Sequence, residues 1–142
     1  MRIFAFFVIS LIGTTAGIGA ERLAVAVSVA NIRTGPGTNY DVLWSAEKYF
    51  PFLVIETAGP WVRLRDFEGD EGWVHKSLVA KIPSVITKKP ECSIRSGPGT
   101  GYPLLFTVGT GIPFRLIKKE GDWLYVEHAD GEQGWIHKGL TW

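Results

Sequence analysis

The stretch Asn31-Ile32-Arg33-Thr34-Gly35-Pro36-Gly37-Thr38-Asn39-Tyr40 returns as Ser93-Ile94-Arg95-Ser96-Gly97-Pro98-Gly99-Thr100-Gly101-Tyr102. Ile32 and Ile94 lie 62 residues apart, and the same offset holds downstream without a gap. It aligns Pro51-Phe52 with Pro113-Phe114, Gly59 with Gly121, and Trp61 with Trp123. It also aligns Gly72-Trp73-Val74-His75-Lys76 with Gly134-Trp135-Ile136-His137-Lys138, and Leu78 with Leu140. A repeat of this length, with its own apolar residues in each copy, predicts two small domains rather than a solenoid of short units. Each copy is about sixty residues, near the lower size at which a domain folds without disulfides or metal. The six tryptophans help, because large aromatics bury the most apolar area per residue.

Seventeen glycines and eight prolines separate short apolar runs, which predicts an all-β chain with many tight turns. A charged fraction of 20% together with 13% aromatics argues against disorder. The net charge of +1, without a Lys/Arg block, argues against nucleic acid as the main partner. Lys88-Lys89 and Lys118-Lys119 are only doublets and are read as solvated charges.

Residues 1–20 have the pattern of a signal peptide, with Arg2 as the positive start and Ile3 to Ile12 as the apolar run. Gly13 to Gly17 break that run toward a small-residue region, with cleavage expected after Ala20 and Ala16 or Ala26 as alternatives. A membrane anchor is disfavoured, since the run stops well short of the ~20 apolar residues a span needs. No cysteine follows the run to carry a lipid. The expectation is export to the periplasm or the extracellular cell envelope, with membrane contact only during export. The single cysteine, Cys92, cannot form an internal disulfide.

In the first copy, Leu23 to Ile32 is expected to be the opening strand, and Thr34 to Thr38 a compact reversal in which Pro fixes φ and the glycines relax it. Val42 to Trp44, Pro51 to Glu56, Trp61 to Arg65 and Glu71 to Val74 follow as strands, and His75 to Leu78 as a single helical turn. Period two along Trp61 to Arg65 assigns Val62 and Leu64 to the core, and Leu124 and Val126 likewise in the second copy. Gly72 and Gly134 fit a close backbone approach or a bulge, and Trp73 and Trp135 are read as structural. Such short strands and turns predict a small antiparallel barrel in each copy. The domains are expected over 21–80 and 81–142, and the short linker predicts that they pack together. The copies differ locally: Trp44 becomes Phe106, Arg63 becomes Tyr125, and Glu47-Lys48-Tyr49 becomes Gly109-Thr110-Gly111.

The order Ile-Arg-Thr/Ser-Gly-Pro-Gly-Thr-x-Tyr, Pro-Phe, Gly-x-Trp and Gly-Trp-Val/Ile-His-Lys-x-Leu resembles the bacterial SH3-like domains, in both copies. The resemblance implies two tandem SH3-like β-barrels after the signal peptide. It further implies a role outside the cytoplasmic membrane, binding cell-wall (peptidoglycan) peptide or glycan, or an envelope protein. Members are often joined to an enzyme that cuts peptidoglycan, and no such partner domain is seen in this chain. A non-catalytic binding or scaffolding module is therefore implied.

No catalytic residues, metal ligands or cofactor are assigned. A cysteine peptidase would pair Cys92 with a histidine, but Cys92 is read as a small apolar residue, standing where the first copy has Ala30. His75 and His137 are repeat equivalents without a second ligand at i+3 or i+4, and are expected to bond backbone at the end of each barrel. The ligand candidates are Tyr40, Trp44 and Trp61 in copy one, with Tyr102, Phe106, Trp123 and Tyr125 in copy two, since aromatic faces suit extended peptides or sugar rings. The tyrosines are also expected to lock the Gly-Pro-Gly loop, with the hydroxyl on backbone. Arg33 and Arg95 pair either with a ligand carboxylate or, preferably, with a nearby Asp or Glu. Two other readings stand beside binding: an exported enzyme or accessory subunit using Cys92, and a structural tandem without a ligand groove.

Overall fold

The computed structural model describes residues 20–142, so the export segment lies outside the described residues apart from Ala20. The described chain is built of antiparallel strands in two sheets. The first holds β1 (Arg22–Val25), β2 (Val29–Arg33), β3 (Val42–Glu47), β4 (Pro51–Ala58), β5 (Trp61–Arg65), β6 (Glu71–His75) and β7 (Val79–Ala80), in the order β3-β2-β6-β5-β4-β1-β7. The second holds β8 (Ser84–Ile86), β9 (Cys92–Arg95), β10 (Leu104–Val108), β11 (Pro113–Glu120), β12 (Trp123–Glu127) and β13 (Gln133–His137), in the order β10-β9-β13-β12-β11-β8. A 3-10 turn, Lys76–Leu78 or Lys138–Leu140, closes each copy. Where β7 completes the first sheet, Trp142 closes the second by exchanging backbone hydrogen bonds of 2.8 and 3.0 Å with Ile86.

The opening strand is not continuous. It breaks at Ala26 to Ser28, because its halves serve different neighbours: β1 pairs with β4 and β7, β2 with β3 and β6. The break is held where the Ala26 amide donates to the Leu78 carbonyl at 2.9 Å.

Alternation then decides what is inside. Val62, Leu64 and Val74 join Ile32 and Phe52 in the first core, and Leu124, Val126 and Ile136 join Ile94 and Phe114 in the second. The register slips between Val54 and Glu56, and again between Leu116 and Lys118, so Ile55 and Ile117 sit on equivalent bulges. The glycines before Trp73 and Trp135 are required by contact. A Cβ on Gly72 would stand 2.5 Å from the Ile32 Cγ2 and 3.2 Å from the Arg33 carbonyl oxygen. On Gly134 the matching distances are 2.4 Å to Ile94 and 3.2 Å to Arg95. At Tyr49 the backbone takes φ 75°, where the second copy places Gly111 at φ 82°. A non-glycine residue in that region costs on the order of 1 kcal/mol.

The two barrels share material. Along β8, Val85 belongs to the second core while the next residue, Ile86, is fully buried in the first. Trp142 also packs on the first core. Arg22 of β1 donates from Nη2 to the carbonyls of Ser84 (3.1 Å) and Trp142 (3.0 Å), with its guanidinium 4.2 Å from the Trp142 ring centroid. Glu47 reaches His128 across the same junction at 3.4 Å.

Gly72→Ala and Gly134→Ala are each expected to lose about 1–3 kcal/mol in denaturant titrations, because the neighbour is a stiff buried isoleucine rather than a flexible tip. Ile86→Ala should cost about 2–5 kcal/mol and lower the unfolding midpoint reported by the first barrel's tryptophans, although the residue lies in the second repeat. Loss confined to the second barrel would refute the shared packing.

Candidate functional site

Each Gly-Pro-Gly corner is clamped from two sides. The Tyr40 ring lies against Gly35 so closely that a Cβ there would meet its Cδ1 at 2.5 Å, and Tyr102 does the same to Gly97 at 2.3 Å. The ring face makes this contact; among the described residues neither hydroxyl has a hydrogen-bond partner, contrary to the expected hydroxyl bond. From the other side Arg33 donates through Nη1 to the carbonyls of Thr38 (3.2 Å) and Tyr40 (3.0 Å), and Arg95 to that of Tyr102 (3.0 Å). The preferred Asp or Glu partner of these arginines is thus replaced by main-chain oxygens. The tight reversal turns these carbonyls toward the arginine, and at this solvent-exposed site each bond is worth about 0.5–1 kcal/mol.

Beside the corner, on the outer face of the sheet, lies a groove of 380 Å³ lined by Asn31, Arg33, Trp61, His75 and Leu78. The second copy repeats it at 310 Å³ with Ser93, Arg95, Trp123, His137 and Leu140. Register explains the assembly: Arg33 pairs with Trp73 and Trp61 with His75, so alternation turns Arg33, Trp61 and His75 outward together. The histidines hold the tryptophans on edge. Trp61 and His75 have ring centroids 5.1 Å apart at 83°, and Trp123 and His137 5.3 Å apart at 90°. Each histidine is fixed in turn by its Nδ1, which accepts from the Ser77 or Gly139 amide, so the ring proton sits on Nε2. The backbone bond of these histidines was legible in sequence; their place in the groove was not, because it depends on cross-strand pairing.

The aromatics grouped by sequence are not brought together. Trp44 pairs with Ile32 on the core side of β3, packs on the first core, and lines a separate cleft with Phe50, Phe67 and Gly111 of the other repeat. Phe106 packs on the second core, and Tyr40 and Tyr102, about half exposed, stay on their corners. Only Trp61 and Trp123 of that set reach the grooves. Tyr125 stands elsewhere on the outer face, 5.1 Å from the Trp135 ring and bonded through its hydroxyl to Gln133 Oε1 at 2.8 Å. Lys118 lies over both rings at 5.7 and 5.5 Å. The first copy has instead an ion-paired set there, with Arg63 on Glu56 and Glu71 at 3.2 and 2.8 Å. Arg65 also donates to Glu71 at 2.8 and 3.0 Å, and that bond first, then the Arg63 charge, holds the Glu71 carboxyl below its usual range. Asp66, Glu68 and Asp70 bring carboxylates within 4.8 Å of one another, but Asp66 already accepts from the Glu68 and Asp70 amides, which accounts for the turn.

Two antiparallel barrels, each with an arginine-clamped Gly-Pro-Gly corner, define a tandem SH3-like fold. The chain belongs to the bacterial SH3 domain family, which matches it over residues 26–81 and 88–142. It is similar to the putative N-acetylmuramoyl-L-alanine amidase YrvJ of Bacillus subtilis, 26% identical over 79% of this chain and 24% of the amidase. It is also similar to the probable cell wall amidase LytH of Staphylococcus epidermidis, 35% identical over 36% of this chain and 18% of that protein. The chain thus spans about a quarter or less of these relatives. Among solved structures, an NlpC/P60 family protein from Bacillus cereus covers 85% of this chain and 55% of its own, at 16% identity and TM-score 0.40.

Cys92 begins β9, fully buried in the second core, with its Sγ donating to the Lys89 carbonyl at 3.5 Å. Burial pushes its thiol up, away from the thiolate that a nucleophile requires. The native protein should therefore react with a disulfide reagent at least roughly tenfold more slowly than the unfolded chain, measured by absorbance at neutral pH. Equal rates would show an accessible, activated thiol.

Proposed function

We propose that the protein is an exported, non-catalytic binding module that holds cell-wall peptide in its two outer-face grooves. The observation that carries this is the recurrence of one constellation, a clamped arginine, an edge-held tryptophan and a main-chain-bonded histidine, at equivalent positions of both barrels. A concave site with one apolar ring and a few fixed donors suits an extended peptide, whose main chain offers carbonyls to the arginine and the histidine Nε2–H. Similarity to regions of cell wall amidases supports the wall as the partner and the envelope as the location. The buried Cys92 gives an enzyme reading no support.

An envelope protein is the second reading, favoured by the sheet edges. Strands β3 and β10 end their sheets and carry half-exposed Leu43 and Leu105. An extended segment of a partner adds to such an edge through main-chain hydrogen bonds.

Purified sacculi distinguish these. Trp61→Ala with Trp123→Ala should weaken retention about thirtyfold, the size expected for two kcal/mol at an aromatic anchor. Trp44→Phe, which copies the second repeat, should leave retention unchanged. Unaltered binding by the double variant refutes the grooves, and absence of wild-type retention favours the envelope protein.

A further inference from the structure

The two grooves share arginine, tryptophan and histidine but differ where charge is set. Val29 and Asn31 line the first; Glu91 and Ser93 take their places in the second. At the rim beside the tryptophan, Pro60 of the first copy becomes Asp122, which pairs with Lys138 at 3.1 Å.

These exchanges leave the two arginines in unlike surroundings. In the first groove both hydrogens of Arg33 Nη1 are used by the Thr38 and Tyr40 carbonyls. Its Nε and Nη2 bond no protein group among the described residues, and no carboxylate lines the groove. A guanidinium held at one nitrogen presents the remaining Nε and Nη2 edge, the geometry that takes a carboxylate through two parallel hydrogen bonds. In the second groove Arg95 is held by one carbonyl, that of Tyr102 at 3.0 Å. There Glu91 lines the same space and brings a carboxylate into it, which the first groove lacks.

We propose that the first groove selects a ligand bearing a carboxylate, such as the free carboxyl end of a peptide, through Arg33. Glu91 turns the second groove away from carboxylates and toward an ammonium-bearing ligand. The inference rests on the reading that these grooves hold peptide. One peptide carrying both charges could then engage the tandem in a single direction.

Three probes test this: N-acetyl-trialanine with a free carboxylate, the same peptide amidated, and the trialanine amide with a free amine. The readout is the indole N–H signal of Trp61 and of Trp123 in heteronuclear NMR titrations. At Trp61 the carboxylate probe should bind about fivefold tighter than its amide, the range of a partly exposed charge pair. At Trp123 the amine probe should be preferred by a similar factor. Val29→Glu should remove the carboxylate preference at Trp61, and Glu91→Val should create one at Trp123. Both positions are exposed, so neither exchange disturbs a core. Shifts at Trp61 without discrimination, or with a preference that survives Val29→Glu, overturn the charge selection while leaving peptide binding intact. No shift at either indole with any probe overturns the groove reading and this inference together.

Discussion

The contact between Gly72 and the strand across from it governs the first barrel, and Gly134 repeats it in the second. Without a side chain there, Ile32 can press its Cγ2 into the space and the Arg33 backbone can run directly beside β6. That approach puts Arg33 in register with Trp73, on the face opposite the core. The arginine is then positioned to collect the inward carbonyls of the corner, and the corner keeps its shape without a disulfide. The groove exists because that arginine, the edge-held tryptophan and its histidine all stand on the same side of three neighbouring strands.

Much of this was legible in the residues. The 62-residue offset exposed the duplication, and period two along Trp61 to Arg65 separated Val62 and Leu64 from the outward face. Gly72 and Gly134 could be read as close approaches because a glycine inside a strand and before a tryptophan has few other uses. The candidate site was less legible. Tyr40, Trp44 and Trp61 share a chemistry and follow one another in sequence, yet the pairing of Trp44 with Ile32 turns it to the core side. The arginine clamp was missed because it depends on where main-chain carbonyls point, which side-chain types do not encode. The sequence points to histidines that bond backbone at the end of each barrel but not to supports for tryptophan, since that contact is made across a strand pair.

The junction between the copies shows the limit of reading a repeat one unit at a time. By the offset, Ile86 corresponds to Ala24, and both are apolar strand residues in their own copies. Nothing in that correspondence says that one isoleucine, while its backbone stays paired in its own sheet, fills the neighbour's core with its side chain. Arg22 adds a second tie, setting its guanidinium over the Trp142 indole; burial lowers its affinity for the proton. One departure from exact repetition, Trp44 in place of phenylalanine, lines a cleft that Gly111 of the other repeat also lines.

A barrel whose core contains its neighbour's isoleucine is not free to swivel, so the two grooves are held at one spacing and one relative orientation. A flexible pair of modules gains avidity from any ligand long enough to bridge it, at an effective concentration set by the tether. A rigid pair behaves as a gauge: a repetitive polymer gains from the second contact only where its own repeat brings a matching group to the second groove. On the reading proposed above, in which both grooves hold one ligand, Ile86 bears on selectivity for its pitch as well as on stability.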